Sequence, residues 1–130
     1  MTAGELAAAA RGFMRGGVKP DAQVKIYARG IGPIWPRAVA LLGRQALEQG
    51  LDDLWAAVAP RVRGASLKAQ LLCLGEFVPD EDLVSRLRHA WHGLSHACHH
   101  QVYELSPTEA ELSTWLDAVD RLVTHDPIRK

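Results

Sequence analysis

The sequence predicts an all-α protein, a bundle of five to six helices with a long antiparallel helix pair at its C-terminal end. Three observations predict it. Hydrophobic residues make up 48% of the chain and aromatic residues only 6%, the Leu/Ala/Val chemistry of packed helices. Leu47, Leu51, Leu54, Trp55 and Val58 recur at i, i+4, i+7, i+8 and i+11, the helical period. Finally, Ser106-Pro107-Thr108-Glu109 reads as a capping box with proline at the first helical position, so only a short connection separates the last two periodic segments. A connection that short sets two helices side by side and antiparallel.

Thr2 caps a first helix over roughly 3–15, with Leu6, Ala9, Ala10, Phe13 and Met14 on one side and Gly16-Gly17 as its stop. That side is mostly alanine, so residues 1–19 are expected to attach loosely or to be ordered by a partner. Pro20-Asp21 marks a second start, with Val24, Tyr27 and Ala28 at helical spacing, although Val24-Lys25-Ile26 suits a strand equally. The stretch from Gly30 to Pro36 is a stiff connection, and Pro36 fits the first turn of the next helix.

That helix carries the Leu47 series and ends at Pro60; Gly50 either divides it or marks close packing. Ser66 caps a shorter helix through Leu67, Leu71, Leu72 and Leu74 that ends near Gly75. Asp80, with Glu81 and Asp82 in the first turn, opens a helix that runs to Leu105, about 25 residues or roughly 37 Å. Leu112, Trp115, Leu116, Val119, Leu122 and Val123 give the final helix its apolar stripe.

All 130 residues are expected to form one domain. Lys and Arg (15) balance Asp and Glu (15), which excludes generic attraction to polyanions. The balance hides an asymmetry: the front of the chain, through Gln49, is net basic and the remainder net acidic. The 2 cysteines, Cys73 and Cys98, sit inside apolar helical patterns, as buried free thiols do. No apolar run approaches the ~18 residues of a membrane span, and the Ala-rich stretch behind Glu5 lacks the pattern of a signal peptide. Arginine outnumbers lysine, which fits a high-GC bacterial genome, and the expected compartment is the cytoplasm.

The most informative segment is Arg86-Leu-Arg-His-Ala-Trp-His-Gly-Leu-Ser-His-Ala-Cys-His-His100. On a helix, Leu87, Ala90, Trp91, Leu94, Ala97, Cys98, Val102 and Leu105 share one direction. Arg88, His89, His92, His96, His99, His100 and Tyr103 then fill a stripe about 120° wide on the other side. A helix that needs only a wet back carries Glu and Lys there; this one has neither between Asp82 and Glu104.

Three chemistries suit such a stripe. His92 and His96, spaced i,i+4, can present two imidazoles to one zinc ion. But Gly93 stands where a metalloprotease helix carries its general-base Glu, and no acid lies on that side to complete the site, so no metal or other cofactor is assigned. Metal-free RNA cleavage needs a general acid/base and a cation for the developing charge, which His92 and Arg88 at i,i+4 supply, with Tyr103 as a further hydroxyl donor on the same stripe. Third, neutral imidazoles suit a helix–helix interface, and Tyr103 fits interface composition.

An Arg and a His separated by a few residues on a late helix of a small helical bundle resemble HEPN domains. Arg86 and His92 have five residues between them and Arg88 and His92 three, while Arg37-Ala-Val-Ala-Leu-Leu-Gly-Arg-Gln-Ala-Leu-Glu48 resembles the early amphipathic helix of that superfamily. The resemblance covers about 34–124. It implies a homodimer whose two Arg/His pairs meet at the interface, a setting of phage defence or toxin–antitoxin control, and metal-independent cleavage of RNA. His92 would then be the acid/base, Arg88 or Arg86 would stabilise charge, and His96, His99 and Tyr103 would position the phosphate. The alternative is a non-catalytic module whose His-rich face docks on itself or on a larger protein partner, with no role at a membrane.

Overall fold

The computed structural model describes residues 1–14, 35–99 and 107–125. The chain is all-α there: five α-helices and one short 3₁₀ turn. These are α1 (Ala3–Met14), α2 (Trp35–Val58), the turn (Pro60–Gly64), α3 (Leu67–Phe77), α4 (Glu81–Cys98) and α5 (Glu109–Thr124). The second start at Pro20-Asp21, along with His100 and Tyr103, lies outside the described residues, as does the proposed extension of α4 to Leu105.

The starts of α1, α3, α4 and α5 are chemically marked. In α1 the Thr2 hydroxyl accepts from the Glu5 amide at 3.1 Å and the Glu5 carboxylate accepts from the Thr2 amide at 2.9 Å, a reciprocal capping box. Ser66 Oγ accepts from the Ala69 amide, and Asp80 Oδ1 accepts from the Leu83 amide. The box at α5 sits two residues later than the sequence reading placed it: Thr108 and Glu111 exchange the two bonds, at 3.1 and 3.0 Å. Both Ser106/Glu109 and Thr108/Glu111 satisfy the same spacing. The second is used, which leaves Pro107 ahead of the cap instead of inside the first turn.

One core cluster joins all five helices. Val39, Leu47, Leu51 and Trp55 from α2, Leu74 from α3, Leu87 and Leu94 from α4, and Leu112, Leu116 and Val119 from α5 are fully buried. Trp55 meets Phe77 edge-on, with ring centroids 5.2 Å apart. Its indole N–H donates to Gln70 Oε1 at 3.1 Å, and the Gln70 amide donates to the Ala65 carbonyl at 3.0 Å. Gln70, the one fully polar residue buried among the described residues, is thus satisfied.

Glycine sets how closely α2 meets its neighbours. A Cβ at Gly43 would lie 3.0 Å from Leu116 and 3.2 Å from Leu94, and one at Gly50 would lie 3.0 Å from Leu122. Gly50 therefore marks close packing, and α2 runs through it undivided.

The first helix packs through its alanine side. Its buried side is Ala3, Ala7 and Ala10, whereas Phe13 stays exposed. Alanine lets the helix axes approach, and Arg11 fastens the far end. Its guanidinium bonds Asp120 at 2.9 Å, Ser113 at 3.3 Å, and Asp117, all on α5. No helix among the described residues is long and apolar enough to cross a membrane.

Candidate functional site: the histidine face of α4

Helix α4 is continuous through Gly93. Its buried residues are Leu83, Val84, Leu87, Ala90, Leu94 and Ala97. His89, His92, His96 and His99 are all exposed. At 100° per residue these four imidazole positions fall within about 80° of one another, opposite Leu87 and Leu94. His99 occupies the C-cap, where the backbone leaves the helix.

What permits this face is the bareness of its borders. On one side Trp115 of α5 packs so tightly over Gly93 that any Cβ there would overlap the indole. On the other, Arg88 is tied to α3, its Nε donating to the Leu71 carbonyl at 3.0 Å and its Nη2 to the Leu72 carbonyl at 3.3 Å. Arg86 donates to Asp82 Oδ2 at 2.8 Å. Arg121 of α5 joins this pair, reaching Asp80 at 2.8 Å and Asp82 at 3.1 Å. The Arg86 hydrogen bond, with help from Arg121, holds the Asp82 carboxyl below its ordinary value.

The sequence-predicted residues thus divide. His92 and His96 share the exposed face. Arg86 and Arg88 flank it, but each is already engaged, one with a carboxylate and the other with backbone carbonyls. Arg44 pairs with Glu48 at 2.9 Å and also reaches the Cys98 thiol, with Arg37 nearby. Burial pushes that thiol above its ordinary value, and Arg44 and Arg37 partly oppose the shift. Among the described residues no three His, Cys, Asp or Glu side chains group closely enough to hold a metal ion.

Three features escaped the sequence reading. The first is the spacing of the face itself: His89, His92, His96 and His99 follow intervals of three, four and three residues. The set is therefore symmetric about position 94, a property plain in the sequence once the exposed residues are known. The second is a pair of buried polar atoms, Trp91 Nε1 and Ser95 Oγ, that have no hydrogen-bond partner. They lie one turn apart, and since tryptophan and serine are ordinary on an apolar border, nothing in the sequence announces them. The third is the anchoring of Arg88 on α3, which depends on where α3 lies.

Comparison with protein-family models, with curated proteins and with solved structures finds no match.

Proposed function

We propose that this chain is a helical module that docks through the histidine face of α4, with a second copy of itself as the partner. The observation that carries this reading is the three-four-three spacing of exposed imidazoles on one helix face. In a two-fold symmetric interface, residue i meets residue j of the partner and j meets i. An axis through position 94, perpendicular to α4, brings His89 opposite the other copy's His99 and His92 opposite its His96. The spacing itself follows from the helical period; what sets this face apart is that all four matched positions carry imidazole.

The resemblance to HEPN domains supports the same reading, because that superfamily dimerises through its late helix. On this reading the chain acts in the bacterial cytoplasm, in phage defence or toxin–antitoxin control. The helices form a bundle whose last two run antiparallel. Arg121 near the end of α5 bonding Asp80 and Asp82 at the start of α4 supports that arrangement, as does Trp115 covering Gly93.

Light scattering over a concentration series tests it. The wild-type mass is expected to rise from that of one chain to that of two, and a chain carrying both His92→Glu and His96→Glu is expected to stay single with an unchanged melting temperature. A dimer that tolerates both substitutions would refute docking through this face.

A second reading, metal-independent RNA cleavage, is favoured by Arg88 and His92 standing one turn apart on an exposed helix. It requires turnover in EDTA that His92→Ala abolishes and that depends on Arg88 or Arg86.

A further inference from the structure

We infer that His92 and His96 form half of a transition-metal site, completed by the same two residues of a second copy. This rests on the docking reading above and names the ligand that holds the two faces together.

The spacing suits the chemistry. Positions i and i+4 on a helix place Cβ atoms about 5–6 Å apart, the arrangement by which two imidazoles of one helix grip one zinc ion. Among the described residues no third His, Cys, Asp or Glu is grouped with this pair, so they leave such a site half built. Structural zinc takes four ligands in a tetrahedron. The axis through position 94 supplies the other two, since it sets His92 and His96 against the other copy's His96 and His92. Two pairs make four nitrogens around one ion on the axis, so the stoichiometry is one ion for two chains.

The surroundings leave room for the cation. Asp82 offsets the charge of Arg86, and Arg88 is drawn aside to the carbonyls of α3. An imidazole ligates through one ring nitrogen and keeps the other for a hydrogen-bond acceptor. The occupant is a borderline divalent ion of the zinc, nickel or copper type. All-nitrogen donors exclude magnesium and calcium, which require oxygen.

The test uses tag-free full-length chain and zinc chloride alone. Dimer dissociation constants are measured by sedimentation in EDTA and with half an equivalent of zinc, and cobalt(II) is titrated in parallel while its visible spectrum is followed. Zinc is expected to tighten the dimer at least tenfold, with half an ion bound per chain, and cobalt to show the intense bands of a tetrahedral nitrogen site. His92→Ala and His96→Ala should each abolish both effects, and His125→Ala, away from α4, should abolish neither. A dimer equally strong in EDTA and in zinc leaves docking intact and overturns the metal site. One ion per chain without a change of mass also overturns it. A single chain under every condition overturns both proposals.

Discussion

Trp115 lies across Gly93 with no space for a side chain between them, and this contact joins α5 to the border of the histidine face. A glycine in mid-helix usually weakens the helix by about 1 kcal/mol relative to alanine. Here the larger residue is the worse choice. Gly93→Ala is expected to destabilise the chain by about 1–3 kcal/mol, because forcing the indole aside outweighs the gain in helix propensity. Urea denaturation followed by circular dichroism checks the sign; a more stable variant would mean that Trp115 can move aside freely.

Gln70 is the hinge of a buried polar chain, accepting from Trp55 and donating to the carbonyl of Ala65. Gln70→Leu keeps the volume but leaves the indole N–H and that carbonyl without partners. A loss of about 1–3 kcal/mol is expected, visible as a lower denaturation midpoint. Gln70→Glu retains the acceptor for Trp55 and removes the donor, so the two variants together apportion the network.

The Asp82 carboxyl carries a pH signature. Hydrogen bonds from Arg86 and Arg121 hold it below its ordinary value of 3.8 in the folded chain. A depressed folded value means that its contribution is present above pH 3.8 and is lost as pH falls through the folded value. Asp82→Asn should therefore flatten the stability profile in that acid window and leave its slope from pH 6 to 8 unchanged. Denaturation midpoints of the two proteins across the range provide the comparison.

Arg11 fastens α1 to α5 through Asp117, Asp120 and Ser113. Arg11→Ala is expected to cost about 1 kcal/mol, because the guanidinium is largely covered and its carboxylate partners remain partly exposed. Hydrogen exchange should quicken over residues 3–14 before it does elsewhere. Uniform acceleration would show instead that α1 unfolds only with the rest of the core.

The parts of this fold that were legible in the sequence are those governed by local chemistry. Thr2, Ser66 and Asp80 cap the helices they were expected to cap, and the Leu47–Val58 periodicity lies on the buried side of α2. The exposed position of His89, His92 and His96 follows from the 3.6-residue period alone. Tertiary packing decided the remainder. The buried side of α1 turned toward Ala3, Ala7 and Ala10, away from Phe13, since small side chains permit a close approach that hydrophobicity alone does not predict. The capping box moved from Ser106 to Thr108, since two equivalent patterns overlap there. The engagement of Arg88 with Leu71 and Leu72 depends on where α3 lies, which no property of α4 by itself reveals.

Gly43 and Gly50 stand seven residues apart, two turns along the same side of α2. Each weakens that helix in isolation by about 1 kcal/mol, so α2 has little reason to coil before Leu116 and Leu122 arrive to occupy the grooves. The longest of the described helices is therefore not expected to be an early seed around which the others gather. It should consolidate in the same kinetic step as α5, and a truncation ahead of α5 should leave α2 largely unwound.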